Sequence, residues 1–208
     1  MRTVIKVILL LVIIILGYFL YQSIMEPIRF NREKDKREKA AIERLKDIRK
    51  AEVAYKAKYG RFTGSFDTLI HFVKYDSFPL VRAIGSIPDS LWGEITEAEA
   101  IKRGIIIRDT SYVPVLDSLF GRDYPIDSIR YVPYCDTAQF RLGAGRIETA
   151  SKVKVDVFEA YVLNDVLLHG LPKQLIINYN ARREKIVGFK GLKVGSLTQA
   201  TNNAGNWE

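Results

Sequence analysis

The sequence predicts an α+β protein: an N-terminal transmembrane helix continues into a long helix that packs on a mostly antiparallel β-sheet. Three observations carry this reading. Residues 4–24 form an apolar run whose single charge is Lys6. Residues 27–59 are rich in Ala, Lys, Glu and Arg, and after Pro27 neither proline nor glycine interrupts them until Gly60. Beyond residue 100, short segments of β-type composition lie between turn residues.

The apolar run reads VIKVILLLVIIILGYFLYQSI. About 20 apolar residues in a helix cross roughly 30 Å of hydrocarbon. Lys6 lies near one end, where a lysine reaches the headgroups, and Tyr18 and Tyr21 lie toward the other, as interfacial aromatics do. A cleaved signal peptide ends in small residues. Here the boundary is bulky, GYFLYQSIMEPIRF, so residues 1–25 are expected to remain as a membrane anchor.

Pro27 suits a kink or a helix start. Residues 26–40 are charged nearly all round, which predicts a solvated helical stalk. Its membrane-proximal basic residues are Arg29, Arg32, Lys34, Lys36, Arg37 and Lys39. Glu33 with Arg37 and Asp35 with Lys39 are acid-before-base pairs at the favourable i,i+4 spacing. From residue 41 the soluble α+β domain begins and runs to residue 208. Ala41, Leu45, Ile48, Tyr55, Tyr59 and Phe62 recur at spacings of three and four, an apolar stripe for the domain core or a partner helix. Glu52 falls on that stripe, either as a rim carboxylate reaching solvent or the capping groups, or as a buried carboxylate paired across an interface. Gly60 suits the C-terminal cap.

Ser65 is placed to cap a short helix over residues 67–73. Pro79, Gly85 and Pro88 mark a loop, and Thr96 to Glu99 opens a second short helix that ends near Gly104. Strands are expected at residues 104–108, 128–133, 138–142, 153–157, 175–179 and 185–189. The alternation of Val153, Val155 and Val157 with charged residues is the clearest period-two signal. Gly143-Ala144-Gly145, Asn164-Asp165 and Asn180-Ala181 read as turns. The polar end, with Trp207, is either a mobile tail or one anchored by that tryptophan.

No constellation points to catalysis. His71 and His169 each stand alone, and Cys135 is the single cysteine, which excludes an intramolecular disulfide. No metalloprotease, paired-cysteine or nucleophile-elbow motif is present. Asp117, Asp123 and Asp127 share one loop-rich stretch, but their spacing matches no calcium loop, and they read as solvated carboxylates. No catalytic, cofactor-binding or metal residue, no cofactor and no small-molecule substrate is therefore assigned. The net charge is +8, with an isoelectric point near 9.5. A basic balance fits nucleic acid, an anionic membrane surface or an acidic partner. The charge gathers beside the apolar run, so membrane lipid is the expected partner and nucleic acid is not.

The order of basic start, apolar helix, proline, charged stalk and amphipathic helix resembles type IV pilins and type II secretion pseudopilins. The most specific stretch is Ile48-Arg49-Lys50-Ala51-Glu52-Val53-Ala54-Tyr55 followed by Tyr59-Gly60-Arg61-Phe62. The resemblance covers about the first 75 residues. It implies a single-pass protein of the bacterial inner membrane with a periplasmic domain, whereas the basic flank after the span, by the positive-inside rule alone, implies a cytoplasmic one. The start MRTVIKVILL carries no pilin leader and no glutamate in the apolar run. The expectation is a permanently anchored, non-enzymatic envelope component rather than a filament subunit. Its partners would be lipid and other envelope proteins or a second copy. The rival readings are a cytoplasm-facing membrane scaffold and a membrane-anchored enzyme with a scattered site.

Overall fold

The computed structural model describes residues 2–88, 92–93, 96–135 and 137–208. It is α+β, with a long apolar N-terminal helix and antiparallel sheets. In chain order the elements are α1 (Arg2–Tyr59), α2 (Phe66–Tyr75), β1 (Ser77–Ile84), α3 (Glu97–Lys102), β2 (Ile107–Pro114), α4 (Val115–Leu119), a 3₁₀ turn (Ile126–Arg130), β3 (Arg141–Glu148), β4 (Lys154–Leu163), α5 (Asn164–Leu167), α6 (Lys173–Val187) and β5 (Gly191–Gly195). The chain divides into two compact units: residues 1–49 with 130–208, and residues 50–129.

α1 is one helix of 58 residues with Pro27 inside it rather than at its start. The apolar run, the charged stretch and the stripe are thus parts of one continuous element. Pro27 has no N–H to give the Ser23 carbonyl, which loses its helical donor.

In the first unit, β3, β4 and β5 form an antiparallel sheet with β4 in the centre. The strand expected from the valine alternation exists, with Val157 buried and Val155 half-buried, but Phe158, Ala160 and Val162 on the opposite face are buried as well. Ala41, Leu45 and Ile48 of α1 are fully buried in the same unit. Gly143 and Gly145 lie within β3, not in a turn, and the side chain of Leu197 covers them. β5 runs close to β4: a Cβ on Gly191 would stand 2.1 Å from the Val162 carbonyl oxygen.

α6 corrects two expected strands and one expected turn. Residues 175–179 and 185–189 were read from their β-branched and aromatic content, and Asn180-Ala181 as the turn between them. Residues 175–179 and 185–187 belong to one helix that follows Pro172 and is capped by Gly188, whose φ of 70° gives the left-handed cap. Ala181, Arg182, Arg183, Glu184 and Lys185 are strong helix formers and join the two short runs. The strand expected at 128–133 is instead a 3₁₀ turn followed by a single bridge from Tyr131 to Gln139. The strand expected at 138–142 starts later, at Arg141. Asn164-Asp165 opens α5. The C-terminal segment is docked, not loose. Gly205 bridges to Val194, Asn206 donates to the Gly191 carbonyl at 3.0 Å, and Gly205 lies against the Trp207 ring.

In the second unit, β1 and β2 form a two-stranded antiparallel ribbon. β1 was missed because Pro79 read as a loop residue. A ribbon strand has a free edge, where proline forfeits no ladder bond. At the far end Gly85 adopts φ 99°, and a Cβ there would stand 2.4 Å from the Ile105 carbonyl oxygen. The strand expected at 104–108 begins only at Ile107, because Gly104 and Ile105 still bond back to α3. Two expected helices are present. α2 starts after Ser65, although the serine side chain makes no cap bond. α3 carries a complete capping box between Thr96 and Glu99. Leu69, Ile70, Phe72 and Val73 of α2 and Val115 of α4 are buried in this unit.

Candidate functional site

The apolar stripe of α1 is buried along most of its length. Leu45 and Ile48 lie in the first unit's interior; Glu52 and Tyr55 lie in the second's. Tyr59 departs from the expectation. It is 48% exposed, at the last position of the helix. Its ring still meets those of Tyr55 and Phe72, with centroids at 4.7 and 5.9 Å. The phenol donates to Asp76 at 2.5 Å. That bond raises the Tyr59 pKa and lowers that of Asp76, with Lys58 adding to the second shift.

Glu52 is fully buried, so the rim reading fails. Its Oε2 accepts the backbone N–H of Thr63 at 3.0 Å, and its Oε1 is buried without a hydrogen-bond partner among the described residues. Burial pushes its pKa up to about 8, and the Thr63 N–H only partly opposes this. Burial thus favours the protonated form of the side chain.

The basic segment separates into two sets. Three residues turn onto the first unit. Arg37 pairs with Glu33 at 3.2 Å and donates to the carbonyls of Leu167 and His169 at 3.2 and 2.9 Å. Lys34 stands 4.8 Å from the Tyr179 ring centre, and Lys36 4.6 Å from that of Tyr134. Tyr179 donates its hydroxyl to Glu38 at 2.6 Å; burial first, and then this bond, pushes its pKa up to about 12. Phe30 is buried as well. The stalk is thus not solvated all round: from Phe30 to Glu38 one side is packed. Arg29, Arg32 and Lys39 form the second set, exposed and without an ion pair among the described residues.

Chemistry-bearing residues come together in one place. Cys135, Asp165 and His169 line a shallow groove of about 380 Å³. The thiol donates to the Val166 carbonyl at 3.3 Å, and Asp165 accepts from Asn180 at 2.9 Å. Both groups thus take part in local structure. Asp117 pairs with Arg122 and Asp127 with Lys74, so these carboxylates serve ion pairs. Among the described residues no group of three His, Cys, Asp or Glu side chains is placed to hold a metal ion.

Sequence reasoning missed the buried polar cluster around α6. Asn164 donates to Asn180 at 2.8 Å, and Arg183 donates to the Gly191 carbonyl at 2.9 Å and to Tyr179 at 3.3 Å. The available signal was Pro172 and Gly188 bracketing a helix-length segment. Residues 5–24 of α1 are exposed, and α1 is long and apolar enough there to cross a membrane. No family model, no curated protein and no solved structure matches this chain.

Proposed function

We propose that this chain is a pilin-like, single-pass protein of the bacterial inner membrane, acting without catalysis as a structural or interaction component of a secretion or trans-envelope assembly. One observation carries the reading: a single helix begins with an exposed apolar run of membrane length and ends among the buried side chains of folded units. Such an element ties folded protein directly to the bilayer. The interaction role is supported by the β1–β2 ribbon. Leu80, Ile84 and Ile107 are exposed and share one face of it by register, and Tyr112 is exposed on the other. A two-stranded ribbon alone is marginal in water, and clustered exposed apolar residues mark contact surfaces.

The periplasmic side is proposed from the pilin-like order of segments. A cytoplasm-facing scaffold is the second reading, favoured by the basic flank. Alkaline phosphatase fused after Glu208 separates them. An active fusion, with protein resisting carbonate extraction, supports the periplasmic reading. An inactive fusion beside a fluorescent cytoplasmic reporter reverses the side. Release of the chain by carbonate overturns the anchor.

A further inference from the structure

Where α1 leaves its apolar run, a groove of about 610 Å³ opens between the helix and the turn that precedes α6. Tyr21, Met25, Arg29 and Arg32 wall it on the helix side, and Leu171 and Pro172 on the other. Arg29 and Arg32 lie five and eight residues beyond Ile24, about 8 and 12 Å along a helix at about 1.5 Å per residue. With residues 4–24 in the hydrocarbon, that is headgroup depth. Both guanidiniums are exposed and carry no protein partner among the described residues. Two acids also line the groove. Glu33 is neutralised by Arg37 at 3.2 Å, which leaves the two arginines against Glu26 alone.

We propose that this groove holds the headgroup of one anionic phospholipid. The inference rests on the membrane reading of α1. Guanidinium forks suit phosphate oxygens. Tyr21, Met25 and Leu171 supply the apolar wall that the glycerol and upper acyl chain require. The Leu171-Pro172 turn makes the site a pocket on one side, which distinguishes it from a basic patch on a bilayer surface. In the rest of the basic segment Lys34, Lys36 and Arg37 are engaged with the protein, and Lys39, though exposed, does not line the groove. A segment beside a membrane could meet anions from lipid or from solution; the apolar wall selects the lipid.

The test uses the full chain in nanodiscs of mixed phosphatidylglycerol and phosphatidylcholine, released for native mass spectrometry. One phosphatidylglycerol should remain on each chain, in excess over phosphatidylcholine. Arg29→Gln with Arg32→Gln should lower that retention by about fivefold per charge removed, since a basic residue near an anionic surface contributes about 1 kcal/mol. Met25→Trp, which fills the groove and keeps both charges, should lower it too. Lys154→Gln with Lys185→Gln, exposed and elsewhere in the first unit, should leave it unchanged. Inorganic phosphate in place of the anionic lipid should leave no adduct. Equal retention of the two lipids, or full retention by Met25→Trp, overturns the groove while leaving the anchor standing. A chain that fails to enter nanodiscs overturns the membrane reading and the proposal with it.

Discussion

The carboxyl group of Glu52 and the backbone N–H of Thr63 meet at 3.0 Å in the buried interior beyond the end of α1. The acid ties the chain that leaves the helix back to its last turns. It does so from a site where burial disfavours the charged form and where, among the described residues, its Oε1 has no hydrogen-bond partner.

A pH dependence of stability follows from that bond. The unfolded chain releases the Glu52 proton near pH 4.5, whereas the native state keeps it to about pH 8. Across that window the native state binds more protons, so its stability falls as pH rises and levels off above pH 8. Each unit of separation is worth about 1.4 kcal/mol. Glu52→Gln retains an acceptor for Thr63 and removes the ionisation. Urea unfolding of the full chain in detergent, followed by near-UV circular dichroism, should show the variant losing this part of the slope and exceeding the wild type at pH 8. Parallel profiles would show that Glu52 ionises freely in the native state.

Truncation should locate the true start of the first unit. Phe30 is buried, and Arg37 and Glu38 bond to Leu167, His169 and Tyr179. A chain starting at Pro27 should therefore melt at a higher temperature than one starting at Lys39. Burial of a phenylalanine contributes about 1.5–3 kcal/mol, and each hydrogen bond about 0.5–1.5 kcal/mol. Identical melting curves would return residues 27–38 to the status of a free stalk.

Two substitutions on α1 should differ sharply although both shorten an apolar side chain. Leu45 is fully buried, and Leu45→Ala should cost about 2–5 kcal/mol. Val53 is exposed, and Val53→Ala should stay within about 0.5 kcal/mol. Chemical denaturation measures both. A large loss at Val53 would place a partner on that side of the helix.

Gly191→Ala should be among the most damaging single changes in the first unit. Its Cβ would collide with the Val162 carbonyl oxygen at 2.1 Å and with the Phe189 ring at 3.0 Å. Backbone cannot yield as a flexible side chain does, so a loss of about 3 kcal/mol or more is expected. Hydrogen exchange should report it as lost protection at Leu192 and Val194 of β5. Unchanged protection there would mean that β5 can shift away from β4.

What the sequence determined by itself is local. The apolar run, the helix-forming composition to Tyr59, the capping box at Thr96 and Glu99, and the alternation near Val155 all depend on neighbours a few residues apart, and each produced its element. The stripe through Leu45, Ile48 and Tyr55 was legible for the same reason, since 3.6-residue periodicity is a local property. Tertiary structure decided the rest. LIINY is helical because its β-type side chains are outweighed by the helix formers after it and by the packing of Ile176 and Tyr179. Phe158 is fully buried while Val155 is only half-buried, because which positions of β4 are covered depends on distant chain. Arg37 is a structural anchor and Arg29 is exposed with no ion pair among the described residues, although both are arginines on one charged stretch. The difference comes from the carbonyls of Leu167 and His169, about 130 residues away along the chain, a proximity that only the folded backbone creates.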